Sequence, residues 1–476
     1  MPPHLASLTH GSPVPETRVF PRSVAASRTS VSVARVWFLF AVGSLVLAGL
    51  LSLLLVVGRL PFLGAIFTDP LFFKRALVVH VDLALVVWFQ AGTAAFLALA
   101  LGDALPRKLV GISFAFCSAG IFGLLAGAVM PGAQPILSNY VPVIDHPVFL
   151  AGLASWFVGT AIFFIGALTS PNSRITGLPD DVIVALRVAA AGNVIAFFTF
   201  AAAWRTTLAG LPPIGFYELV AWGGGHVLQA ANVAMMLGLW LLLLNRWSGK
   251  SVLSPAACRW LFTALILPHA ALPFLALGGT SNPLYTETAT ELMRWTLFPV
   301  ILIVLGLGIR HYVIHRRSPD VARTDFRLVG LAGSVSLIVM GLIMGAMIRG
   351  SNTLVPGHYH AAIGAVTLAL MAAAYDFCAA VSPVGAAAQA WKKARAQLII
   401  FGAGQAVFAL GFAIAGVYGL GRKQYGVEQH VRTTGEYVGL GVMGFGGILA
   451  VAGGLLFLAI MLRCIGSWRA RSLPQT

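Results

Sequence analysis

Residues 356–381, PGHYHAAIGAVTLALMAAAYDFCAAV, combine two histidines with an apolar stretch long enough to cross a bilayer. His358 and His360 are one residue apart, so on a helix their imidazoles leave opposite faces, about 200° apart. Such a helix can hold a metal or a haem on each side. Because ionisable side chains inside a membrane span are costly and rare, the pair suggests a site. For an isolated pair, polar packing near the membrane surface is the alternative.

The composition places the whole chain among membrane proteins. Of its 476 residues, 58% are hydrophobic and 10% are charged, a balance that soluble domains do not show. Apolar stretches recur at even spacing with short loops, so we expect one all-α, integral-membrane bundle of twelve transmembrane helices. The predicted spans are 34–58, 76–101, 107–130, 147–169, 182–204, 216–244, 254–279, 286–313, 327–349, 357–381, 394–420 and 436–465.

The net charge of +16 follows the membrane topology and does not indicate a nucleic-acid partner. With both termini inside, Lys and Arg concentrate in the tails and the inner loops, which is the positive-inside asymmetry. The strongest inner anchor is the run from Arg310 to Arg327. We expect residues 1–33 to form a disordered cytoplasmic tail rather than a cleaved signal peptide, because no small-residue cleavage pattern follows a short apolar core. Residues 34–466 form the membrane domain and 467–476 a second cytoplasmic tail.

The four cysteines are far apart in the sequence, and no Cys-x-x-Cys-His motif is present. This excludes covalent haem attachment through that motif. We expect buried structural thiols at Cys117, Cys258, Cys378 and Cys464.

Five histidines lie inside predicted spans, and on this topology all five fall in the same half of the membrane. Unrelated core histidines would not favour one leaflet in this way. Neutral imidazole is a common ligand of haem iron, copper and non-haem iron. Five imidazoles suffice for a six-coordinate haem with two axial ligands, a five-coordinate haem with one, and a second metal with two. The five residues are His80, His226, His269, His358 and His360.

Four segments carry these histidines: His80-Val81-Asp82-Leu83, Trp222-Gly223-Gly224-Gly225-His226-Val227-Leu228-Gln229, Leu267-Pro268-His269-Ala270 and Gly357-His358-Tyr359-His360-Ala361. Together they resemble the catalytic subunit I of the haem–copper oxidase superfamily, over nearly the whole chain. The resemblance implies two haems and one non-haem metal, copper or iron. In that scheme His80 and His360 hold the low-spin haem, and His358 holds the reactive high-spin haem. His226 and His269 hold the second metal.

A basic pair follows the eleventh span, in Gly419-Leu420-Gly421-Arg422-Lys423-Gln424-Tyr425. It resembles the basic residues that bind haem propionates in this superfamily. Propionates are anionic, and an Arg side chain binds a carboxylate with two parallel hydrogen bonds. Contact with lipid headgroups is the alternative role for Arg422 and Lys423.

The chain departs from the superfamily pattern in the ligands of the second metal. Members usually show adjacent histidines on the seventh helix, where this sequence has His269 alone. Gln229, one turn after His226, is a candidate for a further ligand. Glu287 and Glu291 also come into question, although outer-surface charge is the favoured role for both.

A second departure concerns the tyrosine that oxygen-reducing members use beside the metal. The sixth span offers only Tyr217, near its outer end, and the seventh offers none. This favours nitric oxide (NO) slightly over dioxygen as the substrate, unless a tyrosine from elsewhere reaches the site. The inner half of the membrane is poor in carboxylates, with Asp376 an exception, so no complete inner proton path can be read from the sequence; proton uptake from outside would suit a non-pumping enzyme.

We therefore expect a respiratory oxidoreductase of a bacterial-type inner membrane that reduces NO or dioxygen. The sequence shows no electron-entry motif, so an electron-donating subunit, cytochrome c or a membrane quinol must supply electrons. A cytochrome c oxidase-type dioxygen reductase is the first alternative. A haem-binding membrane sensor or a transporter is the second, and the run Gly223-Gly224-Gly225 leaves a break in the sixth helix open.

Overall fold

In a computed structural model, all twelve predicted spans are helices. The structure describes residues 28–60, 70–171, 177–318, 325–382, 384–424 and 429–468. Each spanning helix is long and apolar enough to cross a membrane, which confirms the all-α, integral-membrane bundle. The helices are α1 (Arg28–Arg59), α2 (Pro70–Val81, Asp82–Val87 and Trp88–Leu101), α3 (Arg107–Ala128), α4 (Pro147–Thr169), α5 (Asp180–Thr206), α6 (Pro213–Ser248), α7 (Pro255–Ile266, Leu267–Ala271 and Leu272–Leu277), α8 (Pro283–Leu292, Met293–Leu297 and Phe298–His315), α9 (Phe326–Met347), α10 (Leu354–Val381), α11 (Val384–Val417) and α12 (Thr434–Gly466).

Three helices begin six or more residues earlier than the sequence predicted, and one of them is α11, which starts at Val384 instead of 394. α1 starts at Arg28, so residues 28–33 are helical rather than part of a tail; no Pro or Gly interrupts them. α2 starts at Pro70 and includes Arg75, whose guanidinium is satisfied by the carbonyl of Ala133, with Nε 3.0 Å from the oxygen. The remaining tail residues, 1–27 and 469–476, lie outside the described residues.

Three helices form the centre of the bundle and carry four of the five histidines. In α2, α6 and α10, 83–89% of the most apolar window is buried, against 56% or less in the other spans. A buried polar contact fixes α2 against its neighbours. Gln90 accepts from Trp156 Nε1 at 2.7 Å and donates to Asn193 Oδ1 at 2.8 Å. Satisfied buried networks of this kind specify one arrangement of helices.

Helix geometry is irregular at two of the predicted ligands. A π-helical turn, Asp82–Val87, follows directly after the segment that holds His80. A 3₁₀ turn, Leu267–Ala271, contains His269, because Pro268 lacks the amide proton that an α-helix needs at that point. By contrast, α6 runs without a break from Pro213 to Ser248. The run Gly223-Gly224-Gly225 therefore does not interrupt the helix.

The loops that close the candidate site lie at one end of the bundle. Because the number of spanning helices is even, the first and last described residues share one end, here called the proximal end, and the opposite end is called the distal end. The distal end carries a short antiparallel hairpin between α3 and α4, made of β1 (Gln134–Ile136) and β2 (Val143–Asp145). The start of α6 and the segment 418–424 pack beside this hairpin.

An ion pair at the proximal end accounts for Asp376. Arg327 of α9 donates to both oxygens of this carboxylate, at 2.6–3.2 Å, and also to Asp325. Arg327 and Asp376 are both buried. The contact is a structural tie between α9 and α10, since a buried carboxylate is stable when it is paired and hydrogen-bonded.

Candidate haem and metal centre

His80 and His360 line one cavity. The cavity has a volume of about 220 Å³ and is walled mainly by apolar side chains of α1, α2, α10, α11 and α12. The two rings are close enough to interact electrostatically. The ring of His360 stacks on Phe412 with the ring centres 5.5 Å apart and the planes 9° apart. Two imidazoles on one apolar cavity fit a haem with two axial ligands.

Three of the five histidines are oriented in the same way. Nδ1 of His80 lies 2.9 Å from Ala48 O, Nδ1 of His226 lies 2.7 Å from Trp222 O, and Nδ1 of His358 lies 2.7 Å from Gly341 O. A carbonyl oxygen only accepts, so Nδ1 carries the proton in each ring and Nε2 carries the lone pair. Metal-bound histidines are held in this way, with the outer nitrogen donating to a backbone carbonyl.

His226 and His269 form a second pair. Their rings interact electrostatically, and both are buried. Among the described residues, neither ring nitrogen of His269 has a hydrogen-bond partner of good geometry, although the ring lies close to the carbonyls of Leu265 and Ile266. A buried imidazole without a partner fits a metal ligand. Over the described ranges, no three side chains of His, Cys, Asp or Glu come together, so these residue types supply two ligands at most here.

A tyrosine from the α3–α4 loop reaches this pair. Tyr140 OH lies 2.9 Å from His226 Nε2, and it must be the donor because Nε2 carries the lone pair. The approach depends on Gly225, since a Cβ at this position would lie 2.3 Å from Tyr140 Cβ. The sixth and seventh helices offered no tyrosine beside the predicted metal. The α3–α4 loop supplies one instead, Tyr140. Tyr217, the other tyrosine considered, donates instead to Asp145 at 2.7 Å.

Contacts from two other elements hold the loop of Tyr140. The carboxylate of Glu218 accepts from the backbone and the side chain of Asn139, and Lys423 Nζ donates to Leu137 O. Burial, followed by the charge of Glu218, raises the pKa of Tyr140, so its hydroxyl stays protonated at neutral pH. Burial lowers the pKa of Lys423, while Glu218 acts in the opposite direction.

The three consecutive glycines before His226, Gly223, Gly224 and Gly225, each make room for an aromatic ring from a different element. A Cβ at Gly223, Gly224 or Gly225 would lie 2.3–2.6 Å from a ring or its Cβ. The rings belong to Tyr285 of α8, Phe200 of α5 and Tyr140 of the α3–α4 loop, respectively. The run is therefore a packing device around His226.

The other predicted site residues are less directly placed. Gln229 is half-buried, and within the described part of the chain its amide makes no hydrogen bond. Glu287 is exposed, and Glu291 pairs with Arg294 at 2.8 Å on the surface. Arg422 donates from Nε to Ser351 Oγ at 2.9 Å; Tyr425 lies outside the described residues.

Two side chains were not anticipated from the sequence, Arg59 in the cavity of His80 and His360, and Asp82, two residues after His80. Arg59 lines the cavity and stands over the ring of Phe412, at 5.1 Å, near enough to His360 for electrostatic interaction. Asp82 is buried, and both of its oxygens lack a hydrogen-bond partner among the described residues. The position of Asp82 two residues after His80 was a visible signal, whereas nothing in the sequence connects Arg59 to His360.

The comparisons with known proteins agree with this architecture. No family model matches the chain. It is 30% identical to an uncharacterized protein of Aquifex aeolicus (strain VF5) over 343 residues, covering 72% of this chain and 83% of the relative. It is 24% identical to an uncharacterized protein of Rickettsia prowazekii (strain Madrid E), covering 90% and 95%. A cryo-EM structure of a heme-copper terminal oxidase dimer superposes with a TM-score of 0.61 at 14% identity, covering 94% of this chain and 85% of that chain. The chain therefore belongs to the family of the Aquifex aeolicus protein and has the fold of a heme-copper terminal oxidase.

Proposed function

We propose that the chain is the catalytic subunit of a membrane oxidoreductase that reduces a diatomic gas. The observation that carries the proposal is the shared orientation of His80, His226 and His358, each with Nδ1 bonded to a carbonyl and the lone pair on Nε2. At His226 a metal would take the place that the Tyr140 hydroxyl now holds on Nε2. His315, which is not a predicted ligand, makes the same bond to His311 O, so the orientation supports ligation together with the pairing of His80 with His360 and of His226 with His269. Two such histidine pairs favour a metal- or haem-binding protein over a transporter.

In this proposal the five histidines fall into three groups. His80 and His360 ligate a low-spin haem, His358 ligates a high-spin haem, and His226 and His269 hold copper or iron. When bound, these groups supply electron transfer and a place for the gas. The chain holds the imidazoles of His80, His226 and His358 in the ligating tautomer, and the apolar walls would exclude water from the low-spin haem.

Basic residues would balance the haem carboxylates. Arg59 is best placed for the low-spin haem, because it lines the cavity of His80 and His360. Arg422 and Lys423 are assigned the same role at the distal end, where they now bond to Ser351 and Leu137. Electrons must come from a partner subunit, cytochrome c or a quinol.

Tyr140 favours dioxygen as the substrate. Its hydroxyl donates to the imidazole of His226, so a proton is available beside the metal, and Glu218 lies near the same hydroxyl. A positioned proton donor typically contributes about 10²–10⁴-fold to a rate. Dioxygen reduction to water consumes four protons and four electrons, and so makes the larger demand on such a donor.

NO is the second candidate. The observation that favours it is the short ligand set, His226 and His269 without a third His, Cys, Asp or Glu in the described residues. Joining two NO molecules to give nitrous oxide and water requires two electrons and two protons. This reaction makes less demand on a tyrosine than dioxygen cleavage does.

Cofactor content and gas turnover test the proposal together. Pyridine haemochrome analysis should find about two haems per chain, and elemental analysis should find one further metal, by the count of axial ligands. The same preparation, given an artificial electron donor, should consume dioxygen or NO. A folded protein without haem would contradict the proposal.

The choice between the gases rests on one pair of variants. Tyr140→Phe should lower dioxygen turnover by about 10²-fold with haem content and NO turnover little changed. Tyr217→Phe is the matched control, because its hydroxyl bonds to Asp145 and not to a predicted ligand. Fast NO consumption with negligible dioxygen reduction in the parent protein would reverse the order.

A further inference from the structure

Three sulfur atoms meet near the proximal end of α10 and α12, away from the five histidines. Cys378 Sγ lies 3.5 Å from Met461 Sδ, and the thiols of Cys378 and Cys464 are within hydrogen-bond reach of each other. Both cysteines are free thiols. All three side chains are at most 2% exposed, so the cluster is shielded from lipid and water.

The chemistry of this set selects a soft metal. Thiolates and thioethers favour Cu(I). Zn²⁺ in a structural site takes four ligands, usually Cys and His, and the nearby Tyr375 cannot serve as one because its hydroxyl donates to Gln397 Oε1 at 3.0 Å. In a trigonal site with metal–sulfur bonds of about 2.3 Å, the sulfur atoms lie about 4 Å apart. Cys378 Sγ and Met461 Sδ, now 3.5 Å apart, need to separate by only about half an ångström to reach that geometry.

Arg35 and Trp468 tie the proximal end of α10 to α1 and to the end of α12. Arg35 donates to Val381 O, one turn after Cys378, and its guanidinium lies 4.9 Å from the ring centre of Trp468. Trp468 in turn donates to Ser382 Oγ at 2.8 Å. Arg35 and Trp468 therefore pack at the same proximal end of α10 that carries Cys378.

We propose that Cys378, Cys464 and Met461 form a binding site for one Cu(I) ion, distinct from the histidine centre. On binding, each thiol loses its proton to solvent, Cu(I) takes the two thiolates and the thioether as ligands, and no electron is transferred. The ion links α10 to α12 at the proximal end. It also stabilises the folded protein, by an amount that rises with the logarithm of the free Cu(I) concentration above the dissociation constant, because the unfolded chain lacks the preformed site.

The test is Cu(I) titration of the detergent-purified holoprotein against a competing Cu(I) chelator, without oxygen. We expect one Cu(I) beyond the metal of the histidine centre, a rise in melting temperature, and sulfur ligands in the copper X-ray absorption spectrum. Cys378→Ser and Cys464→Ser should each weaken binding by 10-fold or more, since loss of even an outer-shell partner of a metal ligand reduces affinity about 10–100-fold. Met461→Leu keeps the volume and should weaken it less.

Two matched controls use the other buried cysteines. Cys117→Ser and Cys258→Ser should leave Cu(I) binding unchanged, because those thiols lie near Trp156 O and Asp181 O rather than near another sulfur. Undiminished binding in Cys378→Ser or Cys464→Ser would overturn the proposal. A copper spectrum with only nitrogen and oxygen ligands would do the same, as would a Cys378–Cys464 disulfide in protein prepared without oxygen.

The proposed copper site and the histidine centre can be tested independently of each other. His269→Ala should abolish the second metal of the histidine centre and leave the sulfur-bound copper in place. Cys464→Ser should remove only the latter, with the haem spectrum unchanged.

Discussion

Tyr140 and Gly225 depend on each other, because the tyrosine reaches His226 only over a residue without a side chain. We predict that Gly225→Ala displaces Tyr140 and destabilises the protein by about 1–3 kcal/mol, the usual range for overpacking. Thermal unfolding measures the stability, and dioxygen turnover reports the loss of the Tyr140 contact. Gly215→Ala on the same helix is the control, since a Cβ there meets nothing within 4 Å. Equal effects of the two substitutions would refute the dependence.

The two histidines of α10 should have separable roles. His360→Ala or His80→Ala leaves the low-spin haem with one axial ligand, so the bis-histidine optical bands should vanish while carbon monoxide binding persists. His358→Ala should do the reverse, because its ring faces Gly341 of α9 and not the cavity of His80. Optical spectra of the reduced protein with and without carbon monoxide distinguish the cases. Loss of the bis-histidine bands in His358→Ala would exchange the two assignments.

For individual residues, the sequence predicted the candidate ligands but not the side chains that contact them. The i, i+2 pair and the shared depth of five histidines can be read from helical periodicity alone. The contact between Tyr140 and His226 joins residues 86 apart, through a loop whose course no periodicity describes. Its one trace in the sequence is the run of glycines before His226, which looked like a flexible point and is instead a packing surface.

Among the elements, α9 and α10 are joined by the ion pair of Arg327 and Asp376. We predict that Arg327→Met destabilises the protein by about 3–5 kcal/mol, because it leaves a buried carboxylate unpaired. Replacing both residues, by Met and Leu, should recover much of this loss. Thermal unfolding measures both effects, and Glu287→Gln is a control at an exposed carboxylate.

The same variants test whether Asp376 conducts protons. As a structural residue it should affect gas turnover only in proportion to the loss of folded protein. If the double variant is as stable as the parent but has lost turnover, Asp376 belongs to a proton path instead.

The existence and order of the twelve helices could be predicted because length and hydropathy are sufficient for a membrane span. Helix ends and irregular turns could not. α2 starts at Pro70, earlier than predicted, because the Arg75 guanidinium finds a carbonyl acceptor, Ala133 O, in the α3–α4 loop. The π turn at Asp82–Val87 contains no proline or glycine that would mark it in the sequence. The 3₁₀ turn around His269 does have such a sign in Pro268.

For the whole molecule, the even number of spans predicts that both termini lie on one side of the membrane. The distribution of Lys and Arg assigns that side to the cytoplasm. Reporter fusions after residue 318, beyond α8, should therefore give a cytoplasmic signal, and fusions after residue 210, between α5 and α6, the opposite one. The same signal from both positions would contradict the topology.

The contact between Lys423 and the loop of Tyr140 sets an order for biosynthesis. Lys423 follows Leu137 by 286 residues, so at about 5–20 residues per second the ribosome needs roughly 15–60 s to supply it after the loop has emerged. During that interval the loop lacks one of its anchors and the distal end stays open. We expect haem and metal to be loaded in this window or soon after it, and the last two helices to close the centre behind them.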